Sequence, residues 1–244
     1  MTHKPIGVSG TPTYSGFIQE QEKNPKISGN AKYLTYSDMS ANVSIIASGM
    51  RYFLNMTAKP GWFVEPSDES TEAIEIAQSV EAIINDMDTP WRRVVRRAAM
   101  YRFYGFSTQE WTAKKRADGT IGLKDISPRP QATINRWDIS KSGEVYGCWQ
   151  ESPWDYKDIY LPRHKLVYLV DDSLNDSPEG LGLLRHVVEL AESLQRFEEL
   201  EAIGFETDLR GVVHARAPFS DLAENPLFYL LNMHLNYFKR ALYT

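Results

Sequence analysis

Cysteine occurs once in the 244 residues, as Cys148. That excludes an intrachain disulfide and a cysteine zinc site. No apolar run approaches the ~18–20 residues that span a bilayer, so no membrane partner is expected. The N-terminus lacks the charged-then-apolar pattern of a secretory signal. A basic excess is also missing: Lys and Arg number 27 against 32 Asp and Glu, a net charge of −5. A domain that grips DNA or RNA usually carries surplus positive charge to neutralise phosphates.

Catalytic signatures are equally scarce. The histidines are His3, His164, His186, His214 and His234, and none forms an HExxH-type pair. There is no GxSxG elbow and no GxxxxGK[ST] loop. Gly180-Leu181-Gly182 has part of a dinucleotide fingerprint, but the third glycine is absent and a polar loop precedes it, so it reads as a loop-to-helix junction. Glu151 and Asp155 beside Trp149 and Trp154 are a weak sugar-site pattern. No catalytic residue, cofactor or metal is nominated.

What is present is patterned. Residues 1–37 hold several glycines and prolines and few apolar residues, the composition of an extended arm that needs a surface to lie on. Met39, Val43, Ile46, Met50 and Phe53 recur at helical period, predicting a helix from about Asp38 to Lys59-Pro60-Gly61. Trp62–Val64 reads as a short strand. A second helix is expected over 71–87 with Ile76, Val80, Ile83, Ile84 and Met87 inside. From Glu65 to Asp88 there are acidic residues and no basic one.

Thr89-Pro90 reads as the cap and first position of a third helix. Its rows are apolar (Trp91, Val94, Val95, Ala98) and basic (Arg92, Arg93, Arg96, Arg97, Arg102), with Gly105 as its stop. Ion pairing within or between subunits is the expected use of the arginines. Residues 106–170 alternate as hairpins, turning at Asp118-Gly119 and Lys141-Ser142-Gly143. Consecutive hairpins point to an α+β fold with helices on an antiparallel or mixed sheet. A long helix follows, striped by Val187, Leu190, Leu194, Phe197, Leu200 and Ile203. Glu189, Glu192, Glu198, Glu199 and Glu201 make it acidic, and Gly204 can end it. Leu209–Ala217 reads as a strand, and 220–244 as a final helix.

One ordered constellation goes further. It begins with Tyr104-Gly105-Phe106-Ser107 and Glu110-Trp111, continues through Leu123–Gln131, Arg136-Trp137 and Leu161–Val167, and closes with Pro178-Glu179-Gly180-Leu181-Gly182-Leu183-Leu184-Arg185 and Glu201–Gly211. This order resembles the portal proteins of tailed bacteriophages, especially the Mu-like and related prophage group, over residues 38–217. The resemblance implies a wing-like domain at 38–217, and at 218–244 the start of a stem-like helix that ends earlier than in the family, as in a truncated or split portal. It also implies a non-enzymatic subunit of a ring, commonly a dodecamer, at a capsid vertex of the virion, assembled in the host cytoplasm. Its partners would be its own copies, the terminase, capsid and head–tail adaptor proteins, and double-stranded DNA passing without sequence-specific binding. The acidic glutamates would then line a channel or face another subunit, and the arginines would serve ring contacts. Two rival readings are a head-morphogenesis protein without a channel and a small α+β enzyme.

Overall fold

The computed structural model describes residues 7–19, 22–172 and 175–209. The chain divides into two compact units, Met1–Leu194 and Gln195–Thr244. Of the second, the described residues are 195–209, all helical.

The first unit opens with a small hairpin, β1 (Thr13–Tyr14) and β2 (Phe17–Ile18). Gly16 turns it at φ +84° and passes so close to Trp137 that its carbonyl accepts the Trp137 N–H at 2.9 Å. The Ser9 N–H reaches the Lys141 carbonyl at 2.8 Å. The arm thus lies on its own chain. Further along, Glu22 pairs with Arg185, and Lys26 Nζ sits 2.8 Å from Glu192 Oε1.

The arm is shorter than the sequence suggests. Helix α1 (Ala31–Asn42) begins seven residues before Asp38, and it stops where Val43 takes an extended conformation before α2 (Ser44–Ala58). The expected single helix is therefore two. Asn42, Val43 and Ser44 are all modest helix formers, so a break there costs little. The earlier start has a tertiary cause: Tyr33, Tyr36 and Met39 stack on one face of α1 and are almost fully buried.

Trp62–Val64 forms no strand. Helix α3 (Thr71–Asn85) is capped by Ser70, whose hydroxyl accepts the Ala73 N–H at 3.2 Å. Its inner face differs from expectation. Ala73 and Ala77 are buried, whereas Ile76 and Val80 are exposed. The small alanines let the helix sit close, and Ile83 comes against Gly122 of the neighbouring strand. Helix α4 (Trp91–Ala98) starts one residue later than predicted, with Pro90 as N-cap and no side-chain cap. A short α5 (Tyr101–Tyr104) ends at Gly105.

The strands are β3 (Phe106–Lys115), β4 (Ile121–Arg129), β5 (Ile134–Ile139), β6 (Val145–Glu151), β7 (Asp158–Pro162) and β8 (Leu166–Val170). They form two three-stranded sheets, ordered β4-β3-β8 and β5-β6-β7, with every pairing antiparallel. The α+β expectation is met, with an antiparallel sheet rather than a mixed one. Alternation along β3 separates two packing layers. Ser107 and Gln109 face α4, donating to the Arg97 and Val94 carbonyls, and Trp111 packs with Val94, Met87 and Ile126. Phe106 faces the other way, into the main core. There its ring meets Tyr33 at 5.6 Å and Trp137 at 5.1 Å, both edge-on. Such edge-to-face pairs add about 0.5–1.5 kcal/mol each beyond area burial.

Helix α6 (Leu183–Leu209) buries Leu184, Val188 and Ala191. This face is offset from the predicted stripe: Val187 packs partly, but Leu190, Leu194, Phe197, Leu200 and Ile203 are exposed. Gly204 does not end the helix, which runs on to Leu209, so Leu209 is helical and opens no strand. The remainder of the expected strand, and the final helix at 220–244, lie outside the described residues.

Candidate functional site

The motif Pro178-Glu179-Gly180-Leu181-Gly182 builds the most tightly specified site in the first unit. Glu179 is buried. Its Oε2 lies 2.5 Å from Lys32 Nζ and accepts the Tyr33 hydroxyl at 3.0 Å, while its Oε1 accepts the Trp137 indole N–H at 3.1 Å. One carboxylate thereby ties α1, β5 and the loop before α6 together. A buried charge is tolerated when it is paired and its other lone pairs are hydrogen-bonded, as here.

Glycines make the approach possible. Gly105, Gly180 and Gly182 all have positive φ, at +96°, +58° and +65°. A Cβ on Gly105 would stand 2.2 Å from the Glu179 carbonyl oxygen, and one on Gly180 would stand 2.3 Å from the Gly105 carbonyl oxygen. The Gly105 carbonyl also accepts the Asp171 N–H at 2.7 Å. The "YGFS" and "PEGLG" motifs, far apart in sequence, are two halves of one backbone junction. A cavity of about 460 Å³ adjoins it, and its Lys32 and Arg185 are paired with Glu179 and Glu22.

The arginines do not pair with the acidic segment before them. Asp86 and Asp88 take Lys114 and Arg116 from the β3–β4 hairpin instead. Arg96 donates to Asn55, Arg97 acts on Asp125 through its charge, and Arg102 pairs with Asp171. Asp125 is partly buried, which pushes its carboxyl up. Hydrogen bonds from Ser127, Thr89 and the Ile126 N–H, with the Arg97 charge, outweigh burial and hold it below the ordinary range. Arg92 and Arg93 are exposed and carry no ion pair among the described residues.

The five α6 glutamates separate similarly. Glu192 is half-buried and paired with Lys26. Glu189, Glu198, Glu199 and Glu201 are exposed, without an ion pair among the described residues. Within the first unit, no arginine of the Arg92–Arg102 row pairs with Glu189 or Glu192.

No group of three or more potential metal ligands occurs among the described residues. Asp155 pairs with Lys157 at 3.1 Å on an open loop whose Trp154 is 92% exposed, so no enclosed carboxylate pair forms with Glu151. Burial pushes the Cys148 thiol up to about 12, which leaves it an unreactive core residue. Sequence reasoning missed Glu179 and Lys32 as a pair. The available signal was a lone glutamate between proline and glycine within the recurring motif.

No helix among the described residues is long and apolar enough to cross a membrane. No curated protein matches the chain. The sequence model of the family described as "Portal protein of Mu bacteriophage" matches residues 33–191. That span starts at the first buried tyrosine of α1, contains both sheets and the glycine junction, and ends at Ala191, the last buried residue of α6. The chain therefore belongs to the portal protein family of bacteriophage Mu.

Proposed function

We propose that the chain is a structural subunit of a phage portal ring, forming the channel through which DNA is packaged and ejected at the capsid vertex. The observation that carries this reading is the family match across the whole sheet-and-helix body, residues 33–191. Charge supports it. A net charge of −5 suits a conduit through which DNA must slide, because each neutralised phosphate strengthens binding. Nothing at the Glu179 hub sets a nucleophile beside a base, so the reading is non-enzymatic.

In this reading the residues before α1 are the arm, the wing-like domain runs from α1 to 217, and 218–244 begin a stem-like segment. The partners are further copies in a ring, a dodecamer when complete, with the terminase motor, capsid and head–tail adaptor proteins. Double-stranded DNA passes through without sequence-specific contacts. The protein resides in the virion after assembly in the host cytoplasm. Some of Glu189, Glu192, Glu198, Glu199 and Glu201 line the channel or face another subunit, and Arg92, Arg93, Arg96, Arg97 and Arg102 contribute ring contacts. Negative-stain imaging of the purified chain tests this: rings with a central hole are expected, and monodisperse monomers at every concentration would count against it.

A further inference from the structure

Two helices carry apolar residues on two sides, and in each one side is covered and the other bare. Helix α2 buries Met50, Leu54 and Ala58, yet Ile45, Tyr52 and Met56 on its outer side are 72%, 70% and 52% exposed. Helix α6 buries Leu184, Val188 and Ala191, yet Leu190 and Phe197 are 72% and 69% exposed. The apolar stripe of an amphipathic helix is ordinarily turned toward a packing partner. Contiguous exposed apolar patches mark interaction sites.

The bare faces differ in charge. The α2 face is flanked by Arg51 and Lys59, and by Arg92 and Arg93 on α4, which packs beside α2. All four are exposed and lack an ion pair among the described residues. The α6 face is acidic: Leu190, Leu194, Phe197 and Glu201 follow one another at i, i+4, i+7 and i+11, with Glu198 alongside. Over its whole length α6 holds seven acidic residues against Arg185 and Arg196.

We infer that the α6 stripe of one copy docks on the α2–α4 face of the next, Phe197 packing near Tyr52 and Glu198 and Glu201 meeting Arg92 and Arg93. The contact joins two different surfaces, so it is head-to-tail, and head-to-tail contacts close into rings when the rotation allows. Apolar contact gives the affinity and the opposed charges set register and exclude the reversed pairing. This rests on the ring reading above and names the surfaces that make the ring.

The test uses the full chain with Tyr52→Cys and Phe197→Cys. Cys148 is buried and does not compete. Oxidation of the double variant is expected to give a ladder of covalent oligomers, and an equal mixture of the two single variants a covalent dimer and nothing larger. A dimer from one single variant alone would overturn the proposal in favour of a two-fold contact. A disulfide closed within one chain would overturn it in favour of α6 folding onto its own α2. Rings in images without a ladder overturn this contact and leave the ring reading standing; monomers throughout, without a ladder, overturn both. As a second measure that bypasses cysteine geometry, Arg92→Glu with Arg93→Glu should cut the assembled fraction about tenfold, and adding Glu198→Arg with Glu201→Arg should restore it. No loss on charge reversal, with the fold intact by circular dichroism, would overturn the pairing.

Discussion

Lys32 Nζ stands 2.5 Å from Glu179 Oε2, with both side chains more than nine-tenths buried. Lys32 lies on α1, one residue before the family-matched span 33–191 begins, and Glu179 lies on the loop before α6, near the far end of that span. Their pairing makes the fold close on itself. Glu179→Ala should destabilise the chain by about 3–5 kcal/mol, because it removes a buried carboxylate that accepts from Lys32, the Tyr33 hydroxyl and the Trp137 indole at once. Replacing both, as Lys32→Met with Glu179→Leu, should cost less than the sum of the two single changes, as read by urea melts in a double-mutant cycle. Additive losses would show that the two charges act independently.

The glycine junction makes a sharper demand. Gly105→Ala and Gly180→Ala each place a Cβ within 2.2–2.3 Å of a carbonyl oxygen at positive φ. Backbone cannot yield there as a flexible side chain would. Each variant should lose more than about 3 kcal/mol. Thermal unfolding followed by circular dichroism measures it, and a melt within two or three degrees of the parent would refute the close approach.

Asp125 predicts a pH dependence. Its carboxyl is held below the ordinary range in the folded chain. A depressed folded value contributes stability above the unfolded value of about 3.9, and that contribution is lost as pH falls through the folded value. Stability should therefore fall below about pH 4, and Asp125→Asn should flatten that part of the curve while lowering stability at neutral pH. Denaturant midpoints across pH 2–7 are the check.

Gly204 lies within α6, and a Cβ there meets nothing within 4 Å. Gly204→Ala should stabilise the helix by roughly 0.5–1 kcal/mol. Hydrogen exchange along α6 should slow around the substitution. Faster exchange would indicate that the glycine is needed as a break.

Under the portal reading, Glu189→Lys with Glu199→Lys should slow DNA packaging by adding cationic groups to a ring that must not hold phosphate. The defect should ease as salt is raised, because released counterions no longer favour the bound state. Packaging indifferent to these charges would remove both residues from the channel.

Much of the first unit was legible in the chain. The hairpins at Gly119 and Gly143 could be placed because a glycine at positive φ between alternating strands is a local requirement. The α6 helix and its acidity followed from periodicity and composition. The errors share a cause. The α3 face was predicted from its largest residues, and Met87 is buried as expected, yet Ala73 and Ala77 went inside while Ile76 and Val80 stayed exposed, because which side of a helix meets a neighbour is decided by the fold and not by side-chain size. The α1 start was assigned to the nearest capping residue, whereas three buried core residues drew the helix back to Ala31.

The arginine row shows the same division. Its positions were plain from spacing, but the helix that carries it is divided, with Arg102 on α5, and its partners were not legible, since Asp171 and Asn55 are distant in sequence. Charge and periodicity are properties of neighbouring residues, so the sequence by itself determined the elements, the acidic balance and the ordered motifs that mark the family. Pairing across the fold depends on which surfaces meet. Only the tertiary structure could decide that Glu179 would hold Lys32, that Gly105 would lie against Gly180, and that α2 and α6 would each keep an apolar side bare.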